Sequence, residues 1–161
     1  MDRKKRMDEY IRNFDEMSPI ARSFGMKLSF DEKYNAIVEL PYNPDLDHSL
    51  GGIHGGVYAT LLDTAGWFTA AMAHDIDCWV ATAEMSMHLL EPVKRTTLRA
   101  IGSLLKTGKR QNVVEMFLYD DNEKLVGHAT GTFIVLTNLS FLSVVTGGPE
   151  KVDGALEQCE E

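Results

Sequence analysis

Cysteine is nearly missing from this chain. Only Cys78 and Cys159 occur in 161 residues. They form no metal-ligand spacing and no framework of bridges such as small secreted domains use. A disulfide between interior and tail stays open, but two free thiols in a reducing compartment are the preferred expectation, and with them a cytoplasmic location. Cations are also scarce. Against 24 Asp and Glu stand 16 Lys and Arg, a formal net charge of −8, part of it in the tail residues Glu157, Glu160 and Glu161. Non-specific nucleic-acid binding needs clustered Lys and Arg, so no nucleic-acid partner is expected. Long unbroken apolar runs are lacking too. The basic start, residues 1–6, is followed by no apolar segment of the signal-peptide kind. Residues 57–73 approach membrane-spanning length but carry Asp63 mid-span, so a buried helix is expected and no membrane partner.

What the chain has is a glycine cluster, Gly51-Gly52-Ile53-His54-Gly55-Gly56, directly ahead of that apolar run. Glycine at such density marks backbone that turns sharply or comes close to something. From Val57 to Ala73 the only formally charged residue is Asp63. A lone acid in such a segment is either tolerated at a cost or retained for its chemistry.

With 44% hydrophobic and 25% charged residues, the composition is that of one globular domain. Residues 1–17 place Tyr10, Ile11, Phe14 and Met17 at helical spacing, an amphipathic lead-in helix. Ser18-Pro19 starts a second short turn that ends near Gly25. Residues 26–41 read as extended, with a turn at Tyr34-Asn35, and residues 42–53 as loop. A helix over about 54–74 puts Val57, Leu61, Ala65, Phe68 and Met72 on one stripe. Opposite lie Gly56, Ala59, Asp63, Gly66, Trp67, Ala70 and His74, a face of mostly small residues that lets another backbone or a ligand approach the carboxylate. Strands are expected over 79–90, 96–105, 111–119 and 124–137, with bulges at Gly127 and Gly131. Short links between them predict antiparallel neighbours, an α+β meander. Beyond Thr137 an apolar patch, residues 139–145, is either a further strand or an arm onto a partner.

These residues resemble a known family. Gly51–Val57, the run Ala59-Thr60-Leu61-Leu62-Asp63-Thr64-Ala65, Leu90-Glu91-Pro92-Val93-Lys94, Thr97-Leu98-Arg99-Ala100, the 106–110 turn and Ala129-Thr130-Gly131-Thr132-Phe133 are similar to the hotdog-fold acyl-CoA thioesterases of PaaI-like type. The resemblance spans about residues 20–137, preceded by the helix of residues 1–19 and followed by the extension 138–161. It implies a curved antiparallel sheet wrapped around one long central helix. It also implies a homodimer, two of which make a homotetramer, with the site between subunits. The implied substrate is an acyl-CoA, with no cofactor beyond the CoA of the substrate itself. A non-catalytic binder of acyl or CoA ligands on the same fold is the alternative.

Thioester hydrolysis needs a stabiliser for the carbonyl oxygen, an activated water or nucleophile, and a pocket for the acyl group. By resemblance the stabiliser is the Gly55 N–H in the first helical turn, with Gly56 permitting close approach. Asp63 is the base or nucleophile. His54 either supports the thioester or simply holds the loop. Thr82 stands where relatives carry a hydroxyl that positions water. His48 departs from the pattern, because relatives have Asn or Gln six residues before the motif histidine. It either adds a titratable group to the site or lies exposed on a shifted loop. Trp67 lines the acyl pocket or packs a dimer interface, and His88 is read as structural. Lys106, Gly108, Lys109 and Arg110 match the turn that contacts the nucleotide of CoA, where cations beside a glycine suit phosphate. The turn could equally be solvated. There is no phosphate-binding loop, dinucleotide fingerprint or metal-ligand cluster.

Overall fold

The computed structural model describes residues 2–146; Cys159 and the acidic tail lie outside the described residues. Helix α1 spans Arg3–Met17, α2 Pro19–Phe24 and α3 Gly55–Met72. The strands are β1 Lys27–Phe30, β2 Ala36–Leu40, β3 Trp79–Leu89, β4 Leu98–Thr107, β5 Gln111–Tyr119 and β6 Leu125–Leu136. A last short helix, α4, covers Phe141–Thr146. The patch after Thr137 therefore adds no strand: α4 folds back and seats Phe141 in the core.

The six strands form one sheet in the order β1-β2-β4-β5-β6-β3, every neighbouring pair antiparallel. The expected four-strand meander holds for β4-β5-β6 only. β3 pairs with β6 at the far edge, because residues 90–97 form a crossing rather than a tight turn. That crossing is pinned where the Ile53 N–H donates to the Val93 carbonyl at 3.1 Å. The bulges are also displaced from the two glycines. Register shifts fall between Thr82 and Glu84, Leu104 and Lys106, and Leu118 and Tyr119. In the last of these Gly127 faces Leu118 while Leu125 faces Tyr119, so Val126 is the extra residue. Gly131 instead makes room, since a Cβ there would stand 3.2 Å from the Glu84 carbonyl.

The sheet curves around α3. Val57, Leu61, Ala65, Phe68 and Met72 are all buried, as the helical period requires. The small-residue face divides. Gly66 and Ala70 turn under the sheet and are buried, while Gly56, Ala59, Thr60, Asp63, Thr64 and Trp67 form a stripe that the sheet leaves partly open. Glycines let helix and sheet come close. A Cβ at Gly66 would lie 2.5 Å from the Phe133 ring, and one at Gly102 only 2.7 Å from the Ala65 carbonyl.

Helix α1 buries Arg6, Tyr10, Asn13 and Phe14, so the buried stripe begins at Arg6, and Met17 is exposed. Arg6 and Arg3 donate to the His74 and Met72 carbonyls. Cations belong there, at the negative end of α3 where carbonyls lack helical partners.

Candidate functional site

The first turn of α3 shows what the glycine-histidine motif does. An α-helix leaves its first four N–H groups without helical partners. Here His54, the N-cap, donates its own N–H to the Leu46 carbonyl at 3.0 Å. The Gly56 N–H goes to His54 Nδ1 at 2.9 Å, and the Val57 N–H to the His54 carbonyl at 2.9 Å. Three of the four are thus used, and the Gly55 N–H is the one left unpaired among the described residues. Because Nδ1 accepts, a neutral His54 carries its proton on Nε2. An open hollow of about 420 Å³ adjoins this end, lined in part by Asp47, His54 and Gly56.

His48 lies exposed on the preceding loop. Its N–H donates to the Gly52 carbonyl at 2.8 Å, its carbonyl accepts from Gly51 at 2.8 Å, and Nδ1 accepts from the Leu50 N–H at 3.2 Å. Gly51 takes the left-handed φ of 72° that closes this turn. His48 is thus a loop organiser with only Nε2 left to offer.

Two turns further along α3, Asp63 meets β3. The Thr82 hydroxyl donates to Asp63 Oδ1 at 2.8 Å. Burial pushes the Asp63 carboxyl above its ordinary pKa, and the Thr82 hydrogen bond pulls partly the other way. One turn on, Trp67 is anchored within the chain. Its indole N–H donates to the Val80 carbonyl at 2.5 Å. The ring stacks edge-on against Trp79 at 5.6 Å and tilts over Phe141 at 5.3 Å. Aromatic rings therefore close the α3–β3 seam just beyond Asp63.

The structure does not bring all the candidate residues together in one chain. Asp63 stands eight residues beyond Gly55, about 12 Å along the helix axis at the usual rise. The 106–110 turn lies at the other end of α3, because neighbouring Asn112 donates to the Ala70 carbonyl at 3.0 Å, whereas Gly55 lies against Leu89. Lys106, Lys109 and Arg110 are exposed, and no ion pair engages them among the described residues. The free edge of β3 is exposed from Thr82 onward apart from Met85, and Met87, Leu89 and Leu90 show apolar surface there. His88 is exposed, its ring stacked with His128 at 6.4 Å, and His128 contacts Glu115 at 2.8 Å. Among the described residues no group of three or more His, Cys, Asp and Glu could hold a metal ion, and no helix is long and apolar enough to cross a membrane.

One residue that sequence reasoning passed over is Asn112. It is fully buried and ties the basic turn to the end of α3. Strand parity was the available signal: Asn112 shares its face with Val114, Met116 and Leu118, so it must point inward.

A long helix held in a curved six-stranded antiparallel sheet is the hotdog fold. It is shared with a thioesterase from Haemophilus influenzae, 19% identical, over 84% of this chain and 93% of that one, at a TM-score of 0.74. A Bacillus halodurans protein whose structure was solved with CoA is 29% identical, covers 84% of this chain and 95% of its own, and gives a TM-score of 0.71. The family model described as Thioesterase superfamily matches residues 50–127. A protein of Saccharolobus solfataricus, provisionally named an esterase, is 30% identical over 111 residues, 69% of this chain and 73% of that protein. The chain belongs to the thioesterase superfamily.

Proposed function

We propose that the protein hydrolyses an acyl-CoA thioester to a free carboxylic acid and CoA, in a site shared by two copies of the chain. The observation that carries this is the single unpaired N–H of Gly55 at the positive end of α3. Such a donor suits a carbonyl oxygen that gains negative charge as it is attacked. Asp63 is the base. Thr82 holds its Oδ1, and Oδ2 takes a proton from water while the water oxygen bonds to the carbonyl carbon. The carbonyl electrons move onto the oxygen facing Gly55. Collapse then breaks the C–S bond, and the departing CoA sulfur takes the proton from Asp63. His54 holds the donor turn and Gly56 leaves room for the thioester. His48 shapes the loop beside it, and its Nε2 is free to reach the water. Trp67, backed by Trp79 and Phe141, is the end wall of the acyl pocket.

The distance between Gly55 and Asp63 within a chain supports a shared site. Antiparallel pairing of two β3 edges would reverse the second copy, bringing its Asp63 and its basic 106–110 turn toward the Gly55 end of the first. Lys106, Lys109 and Arg110, with Gly108 giving the turn its shape, then face the CoA phosphates. A homotetramer of two such dimers belongs to the same proposal, as does a cytoplasmic setting, consistent with Cys78 as a free thiol. No group beyond the substrate's own CoA is invoked.

The test is steady-state hydrolysis of an acyl-CoA panel by wild type, Asp63→Asn and Gly55→Pro. Losing the base is expected to lower kcat ~10²–10⁴-fold. Proline at position 55 removes the N–H and adds a ring, whose Cβ would meet Leu89 Cδ1 at 2.9 Å, the far end of an exposed side chain that can shift. Proline is well tolerated at the first helical position, and His54, at φ −66° and ψ 139°, already has the extended backbone that precedes proline. Loss of that donor is expected to lower kcat ~10²–10³-fold with the melting temperature preserved. Full activity in both variants would sink the proposal. Tight CoA binding without turnover of any thioester would leave the non-catalytic binder.

A further inference from the structure

Asn112 is fully buried on a strand face that is otherwise apolar at Val114, Met116 and Leu118. A buried amide there is unfavourable unless its groups are satisfied. All its contacts join one end of α3 to the basic turn. Nδ2 donates to the Ala70 carbonyl at 3.0 Å and faces His74 Nε2 at 2.9 Å. Oδ1 accepts from the Gly108 N–H at 3.3 Å. The reverse amide orientation would set oxygen against the Ala70 carbonyl and N–H against N–H at Gly108, so Nδ2 is the donor toward His74. His74 Nε2 is therefore an acceptor, its proton residing on Nδ1.

The turn has a second anchor where the Val135 N–H donates to the Arg110 carbonyl at 2.9 Å. Its backbone is tightly closed, since a Cβ at Gly108 would stand 2.7 Å from the Gln111 carbonyl. Between and beside these anchors, Lys106, Lys109 and Arg110 stay exposed. A fixed backbone carrying free cations has little conformational freedom left to lose when an anion binds.

We propose that Asn112 and His74 are positioning residues that hold the β4–β5 turn in the shape that receives the phosphates of CoA, an inference that rests on the acyl-CoA reading above. His74 keeps the amide of Asn112 oriented, and Asn112 keeps Gly108 drawn inward. Neither touches the thioester.

The experiment compares an acyl-CoA with the same acyl group on pantetheine, which lacks the nucleotide, using the full-length protein. Asn112→Ala is expected to raise KM for the acyl-CoA ~10-fold, about the worth of one or two lost hydrogen bonds. The kcat and the KM for the pantetheine thioester should stay at wild-type values. His74→Gln, which still offers an acceptor, should keep the wild-type KM, while His74→Leu should follow Asn112→Ala. If Asn112→Ala does not fold, the His74 pair carries the test. Equal KM changes for both thioesters, or none for either, would overturn the inference. Should wild type itself fail to prefer the nucleotide-bearing substrate, the assignment of the turn to CoA falls first and the inference with it. If wild type prefers it and the variants do so equally, only the inference falls.

Discussion

Asp63 must ionise to act as a base, yet it sits on a half-buried edge of α3 where its charge is poorly solvated. Burial raises its pKa, and the Thr82 hydroxyl, which favours the carboxylate, opposes that rise. The acidic limb of the kcat–pH profile should therefore lie above the ordinary carboxylate range. Removing the hydroxyl in Thr82→Val takes away the group that stabilises the charged form, so the limb should move to higher pH. Thr82→Ser should leave it in place. A limb that stays put in Thr82→Val, or moves down, would mean that Thr82 does not hold Asp63 during turnover. Asp63 was legible in the sequence as a lone charge in an apolar helix. Thr82 came only from the family resemblance, since a strand threonine by itself reflects β propensity. Their hydrogen bond joins residues 19 apart that no local pattern pairs. His48 was not legible. Its ring and backbone close a turn with Leu50, Gly51 and Gly52, and residue type alone does not distinguish a turn-former from a group that faces substrate. Arg6 was missed for a related reason. Arginine normally reads as solvent-facing, and only the carbonyls at the end of α3, far away in sequence, make its burial favourable.

At the scale of elements, periodicity located α3 and the strands to within about two residues, the usual uncertainty of such boundaries. It could not order them. Strand order depends on whether a link turns or crosses, and residues 90–97 cross. Periodicity also could not say which small residues of α3 face the sheet and which face outward, because both serve close approach. The contact at Gly102 makes the distinction measurable. A Cβ there would meet Thr69 Oγ1 at 2.2 Å and the Ala65 carbonyl at 2.7 Å. The Thr69 hydroxyl already accepts from the Ala36 N–H at 2.9 Å, and the Ala65 carbonyl belongs to the helix backbone, so neither can step aside freely. Gly102→Ala is expected to destabilise the fold by roughly 1–3 kcal/mol through overpacking. Denaturant unfolding would read this as a lower midpoint with unchanged slope. An unchanged midpoint would mean that helix and sheet are less tightly held than these distances imply.

For the whole molecule, the proposed function turns on the relation between two copies. Gly55 and Asp63 lie on one helix about 12 Å apart along its axis, a separation that favours the proposed shared site over one chain supplying both groups. A two-fold pair of that kind gives a result that no single-chain site can mimic. Gly55→Pro and Asp63→Asn are each expected to be inactive as homodimers. In a mixed dimer one shared site carries both defects and the other carries neither. Random mixing of equal amounts should therefore restore about a quarter of the wild-type activity per site, since half the dimers are mixed and each has one intact site of two. The mixing must follow reversible dissociation or coexpression with two tags, so that mixed dimers can be isolated and assayed alone, where half the wild-type activity is expected. If the mixed dimer is as inactive as its parents, Gly55 and Asp63 act within the same chain or do not act together. The unpaired N–H at the start of α3 would then need another role.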